Sequence, residues 1–181
     1  MKDLSLHILD IVQNSISAGA DNISIVLEED TAANTYTIMV KDDGCGMSPE
    51  VVARVTDPYY TSRTTRKVGL GIPLLKQNAE QAGGSFHIES QPGEGTLLTA
   101  SFVHNNIDRP PTGDMAGVMV ILTGANPDIN FCYRHRVNDT EYVFDTIEVK
   151  EALDGLPVNE PQVMKYLKEM IRENLADIKA I

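Results

Sequence analysis

Four groups of residues in the first hundred positions have types and spacings suited to binding chemistry. Asp10 and Asn14 lie four residues apart, which would stack a carboxylate and an amide on one face of a helix. Three glycine-containing segments follow, at 42–46, 69–71 and 93–96. A carboxylate accepts hydrogen bonds or a proton, an amide oxygen binds hard cations, and glycine lets the backbone approach a ligand closely. Each group alone is a weak signal, but their order along the chain predicts one ligand site.

These groups need helices and strands to bring them together. The spacing of apolar residues predicts a helix at 3–18, with a polar stripe beside the apolar one. Taken alone, the polar stripe is also typical of a solvent-exposed helix face. The polar stripe consists of Asp3, His7, Asp10, Asn14 and Ser17. Alternating patterns predict strands at 23–27, 36–40, 85–90 and 96–103, and helical signals predict helices at 48–55 and 71–82. The predicted class is α/β.

The four groups resemble the N, G1, G2 and G3 boxes of the GHKL superfamily of ATP-binding domains. The likeness covers about residues 4–103. It implies a two-layer sandwich of Bergerat type, a mixed β-sheet with helices on one face, that binds ATP with Mg²⁺. The run 69–84 is closest to the histidine-kinase version of its box, in which a helix follows G-x-G and ends at a double glycine. The G-x-x-x-x-G-K-[ST] and Rossmann phosphate motifs do not occur.

The resemblance assigns the purine to the segment after the second strand. Asp42 would accept a hydrogen bond from the adenine N6 amino group, Asp43 would be the variable residue, and Gly44 and Gly46 would let the backbone approach the base. Without the other motifs, Asp-Asp-Gly would be read as an ordinary turn. The further residues that the resemblance places at the nucleotide are Met47, Gly69, Leu70, Gly71 and Thr96.

The same resemblance assigns the metal and the catalytic groups. Asn14 would be the Mg²⁺ ligand through its side-chain oxygen. Asp10 stands where many relatives carry a glutamate that acts as general base; aspartate is one methylene shorter, which puts strong activation of water in doubt. Arg63 and Lys67 would close a short lid over the γ-phosphate, where cations stabilise phosphoryl transfer. His7 could be a base or phospho-acceptor, or an ordinary partly buried histidine.

Composition narrows the partners. The chain has 181 residues and a formal net charge of −11, which argues against nonspecific nucleic-acid binding because that needs a basic surface. The sequence contains no apolar run of about 20 residues that would span a bilayer and no secretory signal. Cys45 and Cys132 are far apart and without a CxxC, as expected for reduced thiols. We therefore expect a cytoplasmic protein. The family resemblance implies a protein partner, and the predicted terminal helix offers a surface for a homodimer.

The segment after the nucleotide-binding motifs has no resemblance that names it. We predict a nucleotide-binding domain at 1–104, a linker at 105–114 and an extension of β-β-β-α order at 115–181, with strands at 117–122, 129–136 and 141–146 and a helix at 161–176. These strands would extend the sheet or form a separate appendage. Three functions remain open: a protein kinase similar to anti-sigma-factor kinases, a slow ATPase whose turnover drives dimerisation, and a non-catalytic ATP sensor. No histidine lies in an H-box, so autophosphorylation on histidine is not expected.

Overall fold

The structure, a computed structural model, describes residues 3–57, 59 and 71–180. Its strands occur as consecutive pairs separated by one or two helices. In order they are α1 Leu4–Ser17, β1 Asn22–Asp30, β2 Thr35–Asp42, α2 Pro49–Arg54, α3 Gly71–Gln81, β3 Ser85–Gln91, β4 Gly95–Val103, α4 Met115–Ala125, β5 Asn130–Val137, β6 Thr140–Asp145, α5 Thr146–Leu153 and α6 Pro161–Asp177.

The first helix forms where the apolar stripe predicts it. Asp3 caps α1, because its side chain accepts a hydrogen bond from the Leu6 amide (3.1 Å) and so satisfies one of the free N–H groups of the first turn. Leu4, Ile8 and Val12 are fully buried on one side. In the second stripe, Asp10 and Asn14 are partly exposed, whereas His7 is buried and Ser17 is exposed.

The described strands form one mixed sheet in the order β3-β4-β2-β1-β5-β6. Only the pairing of β1 with β5 is parallel, and the other neighbours are antiparallel. Residues that point to one face, such as Ile25, Ile38 and Tyr133, are fully buried, whereas their neighbours along each strand are partly exposed. Helices α1, α3, α4 and α6 pack on one another and on the strands. The predicted α/β two-layer sandwich is therefore confirmed.

The strand predicted at 117–122 is wrong, because this segment lies in helix α4. Its run of apolar and β-branched residues cannot distinguish a buried strand from a buried helix. Eight of the eleven residues of α4 are buried, as expected of a helix that is apolar on all sides. Asp114 caps the helix by accepting a hydrogen bond from the Gly117 amide at 2.9 Å. This N-cap marks the start of the helix, which the apolar run itself does not indicate.

The C-terminal segment thus has the order α4-β5-β6-α5-α6 instead of the predicted β-β-β-α. Its two strands extend the sheet, since β5 pairs with β1 from Asn22 opposite Asn130 to Glu29 opposite Val137. Helix α5, which was not predicted, begins directly after β6 with Asp145 as its cap. The division into a domain at 1–104, a linker at 105–114 and an extension at 115–181 remains a prediction.

Within residues 3–57, 59 and 71–180, we find no helix with the length and apolar character required to cross a bilayer.

Candidate functional site

The predicted adenine acceptor, Asp42, is the last residue of β2 and is held by two hydrogen bonds. The Ser15 hydroxyl of α1 donates to its Oδ2 atom at 2.6 Å, and the Gly44 amide donates to its Oδ1 atom at 2.9 Å. These contacts fix the rotation of the carboxylate, and each oxygen can still accept a further hydrogen bond. The carboxylate is therefore held in a fixed orientation at the carboxyl end of β2.

Ser15 was not identified from the sequence, although its position carries a signal. It follows Ile11 by four residues and Val12 by three, so helical spacing puts it on the apolar face of α1, and it is 4% exposed. A buried hydroxyl normally has a hydrogen-bond partner. The structure identifies the partner of the Ser15 hydroxyl as Asp42.

The loop after Asp42 is locked to its surroundings on both sides. The Cys45 amide donates to the Ala18 carbonyl oxygen at 2.9 Å, and the Cys45 carbonyl oxygen accepts from the Gly93 amide at 2.7 Å. Gly46 has a φ of 71°, and a Cβ atom there would overlap the Gln91 carbonyl oxygen. Only glycine fits such a conformation at such close approach. The glycine segments 42–46 and 93–96 are thus in direct contact.

Thr96 and Met47, both predicted at the nucleotide, are brought together through Ser90. The Ser90 Oγ atom accepts from the Met47 amide at 2.8 Å and lies 2.8 Å from the Thr96 hydroxyl. Ser90 also donates to the Gly95 carbonyl oxygen at 3.0 Å. Ser90 is a second residue that was not identified, and no sequence motif points to it.

Asp10 contacts the start of helix α3. A Cβ atom on Gly71 would overlap the Asp10 carboxylate, so glycine is needed for α1 and α3 to approach this closely. Burial raises the pKa of Asp10. Asn14 lies one turn further along the same helix and is partly exposed. The structure therefore places the Asp10 carboxylate beside the amino end of α3, with Asn14 one turn further along α1.

His7 lies one turn before Asp10 and is fully buried, not partly buried as expected. Its Nε2 atom accepts a hydrogen bond from the Asn78 side-chain amide at 2.9 Å, while its Nδ1 atom has no partner among the described residues. Burial lowers the pKa of the ring, which favours a neutral imidazole. These contacts fit a histidine that joins α1 to α3.

Four of the predicted site residues, Arg63, Lys67, Gly69 and Leu70, lie outside the described residues. Their roles stay predictions.

The described part of the site fits a magnesium-bound triphosphate in its donor chemistry. No group of three or more His, Cys, Asp or Glu in the described ranges could hold a metal ion. Asn14 offers one oxygen, the kind of ligand that Mg²⁺ prefers when phosphates and water complete its coordination. The amino end of α3, an eleven-residue helix, adds a positive partial charge that suits phosphate.

Comparison with known proteins gives three findings. The family described as histidine kinase-, DNA gyrase B- and HSP90-like ATPase matches residues 2–106. The sensor histidine kinase YxdK of Bacillus subtilis is 32% identical over 111 residues, 56% of this chain and 33% of that protein. A putative sensor protein of Shewanella frigidimarina is 29% identical over 97 residues, 52% of this chain and 15% of that protein. The chain thus spans a third or less of the length of these relatives.

A solved structure, the crystal structure of the N-terminal domain of a DNA repair protein, has a similar fold. The TM-score is 0.55 over 99% of this chain and 57% of that chain, at 15% identity. At this identity the likeness concerns the fold alone. Because it extends over nearly all residues, it includes the C-terminal helices and strands that the family match leaves out.

Proposed function

The chain belongs to the histidine kinase-, DNA gyrase B- and HSP90-like ATPase family, and from this premise we propose that it binds ATP with Mg²⁺ and acts as a kinase or nucleotide-dependent regulator of a protein partner. Family membership and the histidine-kinase relatives support an ATP-binding, kinase-like function. The partner and the transfer reaction are our proposal, as are a cytoplasmic location and a homodimer.

The observation that carries the proposal is the fixed carboxylate of Asp42. Its contacts with Ser15 and Gly44 fix the orientation of an acceptor at the end of β2, and an adenine N6 amino group is a donor that matches it. Guanine and hypoxanthine have a carbonyl oxygen at that position, so the same carboxylate would repel them.

The remaining roles are assigned around that contact. Gly44, Gly46, Met47 and Thr96 form the walls on the purine side, supported by Ser90. Asn14 would hold Mg²⁺, which would neutralise charge on the phosphates when bound. Gly69, Leu70 and Gly71 would surround the phosphates, and Arg63 and Lys67 would close over them.

Asp10 supports a slow ATPase as a second candidate function. Its carboxylate lies at the amino end of α3, and its raised pKa makes it a better proton acceptor than an ordinary aspartate. A kinase or a sensor would not need this group to activate water. Asp10→Asn would then abolish phosphate release by the protein alone and leave nucleotide affinity nearly unchanged.

The first experiment is calorimetric titration of the protein with a non-hydrolysable ATP analogue and Mg²⁺. We expect saturable binding that Asp42→Asn weakens at least about tenfold, since it replaces an acceptor with a donor facing another donor. Asp128→Asn is the matched control, because Asp128 is exposed. A folded wild-type protein that binds no analogue would contradict the proposal.

Once binding is established, γ-labelled ATP separates the functions. Label on a second protein in a cell extract indicates a kinase, and free phosphate without any partner indicates an ATPase. If neither appears while binding is saturable, a nucleotide sensor remains.

A further inference from the structure

Asp43, expected to be a variable residue, makes more hydrogen bonds than any predicted ligand-binding side chain in the described part of the site. Its Oδ1 atom accepts from the backbone amides of Asp21 at 2.8 Å and Asn22 at 3.0 Å. Its Oδ2 atom accepts from the Asn22 side-chain amide at 2.8 Å. These bonds join the loop that follows β2 to the start of β1.

The chain of hydrogen bonds continues into the C-terminal segment. The Asn130 side-chain amide donates to the Asn22 Oδ1 atom at 3.1 Å, and the Asn130 backbone amide donates to the Asp21 carbonyl oxygen at 2.9 Å. Asn130 is the first residue of β5 and lies beyond residues 2–106, the region matched by the family. A strand from outside the family match thus supports the residue beside Asp42.

We infer that Asp43 is a positioning residue for adenine recognition, and that Asn22 and Asn130 hold it in place, so that the C-terminal segment contributes to nucleotide selectivity. The inference rests on the proposed function, because it concerns how well Asp42 is aimed at the purine. Asp43 is adjacent to Asp42 in the chain, so a shift of its backbone turns the Asp42 carboxylate.

Two further observations agree with this assignment. Hydrogen bonds from the Asn22 side chain and backbone lower the pKa of Asp43, so the carboxylate stays ionised and accepts from all three donors. Asp43, Asn22 and Asn130 also line one cleft of about 250 Å³ together with Lys41 and Asp145, which leaves their contacts open to water. Exposed hydrogen bonds contribute less to positioning than buried ones. We therefore expect the loss of ADP affinity to be smaller for Asn130 than for Asp43, which is adjacent to Asp42.

The test compares the affinities of ADP and IDP, both with Mg²⁺, by calorimetry. These nucleotides differ in the purine group that faces Asp42, an amino group in ADP and a carbonyl oxygen in IDP. Asp43→Ala should weaken ADP about tenfold and IDP much less, so that the ratio of the two affinities falls. Asn130→Ala should weaken ADP about threefold in the same sense. Asp43→Asn keeps an oxygen for the two backbone amides and should retain most of the selectivity.

The matched control is Asn138→Gly, at the other end of β5. The Asn138 side chain also joins the C-terminal segment to the first hairpin, since its Oδ1 atom accepts from the Thr31 amide at 2.9 Å. Glycine suits this position because the φ of Asn138 is 54°. We expect this variant to leave both affinities unchanged, because it lies far along the sheet from Asp42.

Each outcome decides a separate question. If wild-type protein binds ADP and Asp43→Ala weakens ADP and IDP equally, or changes neither, the positioning role is overturned and the proposed function stands. If folded wild-type protein binds neither nucleotide, the proposed function fails and the inference fails with it. Circular dichroism of each variant checks that it is folded.

Discussion

Ser15 occupies the apolar face of α1, yet its hydroxyl makes a short hydrogen bond to the carboxylate proposed to read adenine. Asp42, Gly44 and Ser15 therefore act as one unit, in which a buried donor and a backbone amide orient one acceptor. The neighbouring Asp43 is held by a different set of donors, from β1. Two consecutive carboxylates thus have separate sets of hydrogen-bond donors.

Ser15→Ala tests the first of these units. Removal of the hydroxyl leaves the Asp42 carboxylate held by the Gly44 amide alone. We therefore expect the affinity for ADP to fall about fivefold and the free energy of unfolding to fall by about 1 kcal/mol. Calorimetry and urea denaturation measure the two effects. Ser17→Ala is the control, because Ser17 lies on the same helix but is exposed; equal effects from both variants would contradict this role for Ser15.

The sequence motifs yield the residues proposed to face the ligand, but not the residues that hold them in place. Asp10 and Asn14 follow from helical spacing, and Asp42 and Thr96 from the family likeness. Ser90 and Asn130 could not be found in this way, because their contacts depend on which strands become neighbours. The Asn22–Asn130 contact joins residues 108 positions apart, and no local pattern specifies such a pairing.

Among the helices and strands, α4 shows why the C-terminal prediction failed. Its apolar residues form an uninterrupted run, so neither the two-residue nor the 3.6-residue period is visible. The β-branched residues Val118, Val120 and Ile121 favoured a strand. Tertiary packing overrides that preference, since α4 is covered by α1 and α6 and packs on β5. The elements of residues 3–57 and 71–103 have clearer periods and caps, and their types were predicted correctly.

Asp114→Ala tests the contribution of the cap to α4. Loss of the hydrogen bond to the Gly117 amide should lower the free energy of unfolding by about 1 kcal/mol. Urea denaturation with a constant m-value would measure the change. Asp128→Ala removes an exposed carboxylate beyond the other end of α4 and should have no effect. A stability loss shared by both variants would point to general electrostatics instead of capping.

Across the sheet, a second polar cluster lies at the opposite end from the proposed nucleotide site. Glu29 near the end of β1 contacts two histidines, with its Oε1 atom 2.9 Å from His104 Nε2 and its Oε2 atom 2.7 Å from His135 Nε2. His135 is fully buried and also contacts the Tyr133 hydroxyl at 2.7 Å. The cluster joins three parts of the chain: β1, β5 and the segment that follows β4. It therefore connects the family-matched region with the C-terminal segment.

This cluster makes stability depend on pH. Burial alone would raise the pKa of Glu29, but the hydrogen bonds and charges of His135 and His104 outweigh it and lower that pKa below 4.5. Since the folded protein then binds fewer protons than the unfolded chain, the stabilisation is complete above pH 4.5 and is lost as the pH falls through the folded value. Glu29→Gln should be less stable at pH 7 and lose less stability on acidification. Urea denaturation between pH 3 and pH 7 measures both; parallel pH profiles for the two proteins would contradict the assignment.

The parallel pairing of β1 with β5 has a consequence for how this chain can be shortened. With β5 and β6 removed, β1 would become an edge strand and expose the unpaired amides and carbonyls of its nine residues. A second chain can pair with such an edge strand, and this promotes aggregation. The C-terminal segment therefore covers one edge of the ATPase-family portion, and we expect a chain without it to self-associate more readily.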